Sequence, residues 1–153
     1  MPDERFGLPW GRIRKWQRDG LRVAATDGCF DILHVGHLRM LRWAASQADR
    51  LVVLLPDDAS VSASKPGRPF VPLRDRAELV AALDPVDAVG HYTQSDLASL
   101  YAELAPDVLV NSPEWQGRVT GQSEVEEAGG RVAFFPKAGD WSTTNLVSRI
   151  RSS

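Results

Sequence analysis

The stretch TDGCFDILHVGHLRML, Thr26 to Leu41, is where an apolar, strand-like run becomes a helix-like one. Upstream, LRVAAT (21–26) is a short continuous apolar segment of the kind that is buried on both faces as a strand. Downstream, HLRMLRWAASQAD (37–49) repeats its apolar residues at helical spacing. The turn DGCFDI joins them, so a helix is expected to begin near His34, with His34 and His37 both in its first turn. A helix N-terminus presents unpaired N–H groups and a partial positive charge, which together attract phosphate. Gly28 allows backbone to approach a ligand closely, and Gly36 does the same between the histidines. Two imidazoles on such a turn can donate hydrogen bonds to phosphate oxygens as charge builds up in phosphoryl or nucleotidyl transfer. Zinc ligation is the competing reading, but no third ligand lies at a recognised spacing; core packing is the other.

Working outward, the same alternation repeats. RLVVLL (50–55), DAVGHY (87–92), DVLVN (107–111) and RVAFFP (131–136) read as further strands. PLRDRAELVAAL (72–83), SDLASLYAELA (95–105), QSEVEEAG (122–129) and STTNLVSRI (142–150) read as helices. This rhythm predicts an α/β domain with a parallel sheet, helices on both faces, right-handed crossovers and a ligand crevice at the carboxyl ends of the strands. PDDASVSASKPGRPFVP (56–72), polar and rich in Ser and Pro, reads as a long loop at that edge. The 153 residues fit one domain, with residues 1–20 as a helical extension of a core spanning about 21–150.

Composition narrows the function classes. With 18 basic against 20 acidic side chains, a net charge of -2 gives no reason to expect nucleic acid. Cys29 is the single cysteine, so an intramolecular disulfide and a cysteine-rich metal site are both excluded. No apolar run approaches the roughly 20 residues that span a bilayer, and MPDERFGLPWGRIRKW carries no export signal. The expectation is a cytoplasmic protein without a membrane partner.

Gly28, Phe30, Asp31, His34, Gly36 and His37 together resemble the G-x-F-D-x-x-H-x-G-H signature of the cytidylyltransferase-like nucleotidyltransferases. GRPFVPLRDRAELVAALDPVDAV (67–89) is similar to the middle of one branch, the heptose 1-phosphate adenylyltransferases, including the transferase half of the bifunctional heptose kinase/adenylyltransferase. PDVLVN, EEAGGRVAFFP and STTN continue the likeness. The resemblance implies a Rossmann-like nucleotidyltransferase fold with five parallel strands ordered 3-2-1-4-5. It also implies AMP transfer from Mg-ATP to a sugar 1-phosphate, giving an ADP-sugar and pyrophosphate. Mg2+ would be carried by the nucleotide phosphates and not by a protein site. A homodimer is implied too, with the sugar 1-phosphate supplied by a separate protein.

By position, the resemblance makes His34, His37 and the loop lysine Lys65 catalytic. It places the nucleotide on Asp27, Gly28, Cys29, Phe30, Gly36, His37, Asn111, Ser142, Thr143 and Thr144, and the acceptor on Asp31, Arg68 and Arg74. Each has a plainer reading: Lys65 as a solvated lysine, Ser142 to Thr144 as an ordinary N-cap, Asp31 as a local Asx turn or a histidine-orienting group, Cys29 as packing. Arg76 is expected on a solvated helix face. Trp10, Trp16 and Trp43 are expected in packing or dimer contacts, and His91 and Tyr92 at the crevice, at the surface or in the core. Two segments depart from the branch. LLPDDAS (54–60) puts Pro56 where a polar residue is usual, and NSPEW (111–115) lacks the usual lysine and two glycines. Both put the acceptor in question, so a CTP-dependent transferase acting on glycerol 3-phosphate or another alcohol phosphate is an alternative. KAGDW (137–141) lacks the Arg-Thr-Glu-Gly-Ile usual in that group. A nucleotide-binding module without catalysis is the alternative of another class.

Overall fold

The computed structural model describes residues 4–136 and 142–153; the KAGDW segment lies outside the described residues. In chain order the elements are α1 (Trp10–Arg18), β1 (Val23–Asp27), α2 (Val35–Ala45), β2 (Arg50–Pro56), α3 (Asp58–Ser64) and α4 (Leu73–Ala81). Then follow β3 (Ala88–Tyr92), α5 (Leu97–Leu104), β4 (Val108–Asn111), α6 (Gln122–Glu127), β5 (Arg131–Phe134) and α7 (Thr143–Ser152). All strand pairs are parallel, in the order β3-β2-β1-β4-β5. That is the order the resemblance implies.

The continuous apolar runs are explained by helices on both faces. Val23, Ala25, Val52 and Leu54 point into one cluster with Trp10, Ile13, Leu100 and Tyr101. Ala24, Leu51, Val53 and Leu55 point into the other with Leu41, Ala44 and Val80. Trp10 and Trp16 pack in the first cluster and Trp43 against the second, where it meets Phe135 at 5.8 Å between ring centroids. Aspartates fix the strand entries: Asp107 accepts from the Val23 N–H and Asp87 from the Leu51 N–H, each at 2.8 Å. No helix among the described residues is long and apolar enough to cross a membrane.

Two expectations are corrected. Residues 56–72 are not all loop: Asp57 caps α3 through the Ser60 N–H at 2.8 Å, and the helix buries Val61. Arg76 is not on a solvated face; it is fully buried. Its guanidinium donates to the carbonyls of Val71 (2.9 Å), Cys29 (3.0 Å) and Pro56 (3.0 Å) and to Asp58 Oδ1 (2.6 Å). It thereby ties the first turn of α4 to the end of β2 and to the turn after β1.

Candidate active site

At the carboxyl ends of the strands lies a cavity of about 1080 Å³. The turn after β1 forms its centre. Phe30 takes a left-handed φ of 50° and is buried, a strain that surrounding structure must hold in place. Its ring fills the space a Cβ on Gly28 would need, 2.9 Å from that position, so glycine is required there. The Gly28 N–H then pairs with the Leu54 carbonyl of β2 at 3.1 Å.

His34 is the N-cap of α2. The Gly36 N–H donates to His34 Nδ1 at 3.1 Å, and the His34 N–H donates to His37 Nδ1 at 3.2 Å. A neutral imidazole whose Nδ1 accepts carries its proton on Nε2. The two rings stack with centroids 3.8 Å apart, His37 leans on Phe30 at 5.1 Å, and both histidines line the cavity. Burial, helped by His34 and Lys65 nearby, pushes the His37 pKa down to about 4. At neutral pH it is therefore an uncharged hydrogen-bond donor.

The rest of the site converges on this turn from elsewhere in the chain. Lys65, just past α3, lines the cavity, as do Asn111 at the end of β4 and Ser142, Thr143 and Thr144 at the start of α7. The Ser142 hydroxyl caps α7 by accepting from the Asn145 N–H, and the Thr143 hydroxyl donates to the Ile32 carbonyl at 3.1 Å. That last bond docks the α7 N-terminus beside the histidine turn. Cys29 borders the cavity with its thiol pKa raised, chiefly by burial, so it is not a thiolate nucleophile.

The residues expected at the acceptor divide. Asp31 is buried and accepts from Arg68 Nε (2.8 Å) and from the Phe70 and Val71 N–H groups (2.9 Å each to its nearer oxygen). Among the described residues these bonds close no local Asx turn and reach no histidine; they tie the strap after α3 to the turn. Arg68 reaches the cavity with its Nη atoms making no hydrogen bond among the described residues. Arg74 does not reach it: it is exposed in the first turn of α4, on the side of the helix opposite Arg76. Tyr92 borders the cavity and His91 does not. Ser60, Gln94 and Trp115 also line it. Of these, Ser60 and Trp115 stand in LLPDDAS and NSPEW, the two segments that depart from the branch, and Gln94 carries no signal in the sequence.

The model for the family described as cytidylyltransferase-like matches residues 25–153, which includes the histidine turn, the strap and α7. The chain belongs to the cytidylyltransferase-like family. By family it is a nucleotidyltransferase. The protein named bifunctional protein HldE of Gluconacetobacter diazotrophicus is 43% identical over 144 residues, covering 93% of this chain and 30% of that protein. Its namesake from Mesorhizobium japonicum is 42% identical over 142 residues, covering 92% of this chain and 29% of that protein. The chain thus spans less than a third of these relatives. Among solved structures, a lipopolysaccharide core biosynthesis protein from Thermoplasma volcanium superposes with a TM-score of 0.66 at 25% identity, over 78% of this chain and 100% of that one. Pantoate-beta-alanine ligase from Francisella tularensis shares the fold alone, with a TM-score of 0.60 at 13% identity over 88% of this chain and 70% of that one.

Proposed function

We propose that this family member transfers AMP from ATP to a sugar 1-phosphate, with a heptose 1-phosphate as the acceptor. The observation that carries the reading is the stacked histidine pair, whose Nδ1 atoms are occupied by backbone N–H groups so that each ring holds its proton on Nε2 at the cavity. An acceptor phosphate oxygen attacks the α-phosphorus in line, the bond to the bridging oxygen breaks, and pyrophosphate leaves with the electron pair. Charge accumulates on the α-phosphoryl oxygens during this displacement, and in this reading His34 and His37, which line the cavity, supply the hydrogen-bond donors that stabilise it. Lys65 and the α7 N-terminus, with Thr143 and Thr144, take the β- and γ-phosphates. Arg68 offers its Nη atoms to the acceptor phosphate.

Among the described residues there is no group of three or more His, Cys, Asp or Glu side chains placed to hold a metal. In this reading magnesium enters as part of the nucleotide, carried by its phosphate oxygens. The choice of a heptose is supported by the likeness of residues 67–89 to the heptose branch and by the relatives named HldE.

The test is pyrophosphate release with Mg-ATP and with Mg-CTP against heptose, hexose and glycerol phosphates. Release with ATP and a heptose 1-phosphate is expected, and His34→Ala or His37→Ala should lower kcat by about 10² to 10³. A signal with CTP alone would move the chain to the cytidylyl-transferring members. ATP binding without pyrophosphate from any acceptor would make it a nucleotide-binding module.

A further inference from the structure

The floor of the cavity holds a carboxylate that the phosphate chemistry does not use. Asp27 ends β1 at the centre of the sheet, and the Tyr101 hydroxyl, from α5, donates to its Oδ2 at 2.6 Å. Tyr101 is fully buried, and its ring occupies the space a Cβ on Gly121 would need, where φ is +90°. The tyrosine is therefore seated firmly beneath the site. Asp27 lines the cavity, and its Oδ1 makes no hydrogen bond among the described residues.

A carboxylate is a poor neighbour for a triphosphate, because like charges in a low-dielectric site repel. The groups given to the phosphates are those at the N-termini of α2 and α7, the latter docked on Ile32, together with Lys65 just past α3. On the other side of β1, the cavity wall includes Pro56, Tyr92, Gln94 and Leu97, the first residue of α5, none of them a cation, with Lys65 and Arg68 reaching the cavity from the chain after β2. Resting on the proposed sugar-phosphate reading, we propose that Asp27 is a specificity-determining residue that accepts hydrogen bonds, through Oδ1, from hydroxyl groups of the acceptor sugar. Tyr101 fixes the carboxylate so that Oδ1 points at a defined position. Such a carboxylate rewards an acceptor bearing hydroxyls there and penalises one that leaves it unpaired.

Burial raises the Asp27 pKa to about 6, while the Tyr101 hydrogen bond acts to lower it. Around it, Tyr101 and Tyr92 are held as neutral phenols, burial being the main cause for both, and Cys29 as a thiol. His37 is neutral on the α2 side, and Lys65 and Arg68 bring positive charge at the mouth.

The experiment is steady-state pyrophosphate release from Mg-ATP and the best sugar 1-phosphate, from pH 5 to 8, for the wild type, Asp27→Asn and Tyr101→Phe. Asp27→Asn keeps the shape and a partner for Tyr101 but offers only a neutral hydrogen bond. It is expected to raise the acceptor KM about tenfold with the ATP KM within about twofold. The wild-type acceptor KM should rise as pH falls through 6, and the asparagine variant should keep only the limb that belongs to the substrate phosphate. Tyr101→Phe should move the Asp27 limb to higher pH. A raised ATP KM with an unchanged acceptor KM would overturn the proposal and assign Asp27 to the ribose. Equal KM values and the same pH profile in wild type and variant would reduce it to a structural group. No wild-type turnover with any sugar phosphate would instead sink the functional reading, and this assignment with it.

Discussion

Asp27 and Asp31 flank the same short turn, and their surroundings are opposite. Asp31 is clamped by Arg68 and two backbone N–H groups; burial works to raise its pKa, but those donors prevail and hold it below the usual carboxylate value. Asp27 has one phenol on one oxygen, and burial carries its pKa up to about 6. The first has its acceptor capacity spent on the fold, while the second keeps an oxygen in hand. Full satisfaction marks a structural carboxylate, and partial satisfaction at the floor of a cavity marks one that waits for a ligand.

The comparison is broken most severely by removing what separates the two. Arg76 holds the Cys29 carbonyl between them, and a buried guanidinium with four partners cannot be deleted without leaving carbonyls and the Asp58 carboxylate short of donors. Arg76→Ala is expected to cost about 3 to 5 kcal/mol in urea unfolding. Arg76→Lys, which keeps the charge but not the fork, should recover only part of it. Asp31→Asn comes next, with an expected loss of about 2 to 3 kcal/mol, because a charge-assisted bond to Arg68 is lost and the amide can meet fewer of the three donors. Asp27→Asn should move the other way: with no buried charge to desolvate, stability at pH 7 should rise by about 1 to 2 kcal/mol. Two destabilised asparagine variants would erase the distinction between the aspartates.

How far the sequence shows this depends on range. The sheet could be read because buried parallel strands leave unbroken apolar runs, its order came only through the family resemblance, and the helix start at His34 could be read because turn and helix abut in the chain. The α3 helix was hidden: DASVSAS is seven residues of mostly small polar side chains with one buried position, Val61, too few to show a period. Its one legible sign is Asp57 three residues before Ser60. Arg76 does carry a signal in the sequence, since Leu73, Arg76, Ala77 and Val80 fall at i, i+3, i+4 and i+7. The arginine lies on the apolar stripe and Arg74 lies off it. The partners of Asp31 are 37 to 40 residues away and that of Asp27 is 74 away. No local pattern marks such pairs, so which aspartate is spent and which is open emerges only from the fold.

The finest test of the contrast is titration of stability. The Asp27 pKa is about 6 in the folded chain against an ordinary 3.8, so the folded state keeps a proton that the unfolded chain gives up in that interval. The stability tied to that proton is complete below 3.8 and is lost as pH rises through 6. His37 runs in the opposite sense, because its pKa falls from 6.5 to about 4. Its contribution is complete above 6.5 and is lost as pH falls through 4. Between pH 4 and 6 the two slopes oppose each other, and their joint contribution in the wild type should be nearly flat. Asp27→Asn exposes the histidine limb, so its stability should climb with pH by up to about 1 kcal/mol per unit. His37→Asn exposes the aspartate limb, with a fall of similar size. Asp31→Asn, lacking a group that titrates in this window, should run parallel to the wild type. Urea unfolding at pH 4, 5, 6 and 7 separates the three, and a common slope for all of them would mean that Asp27 is no more buried a charge than Asp31.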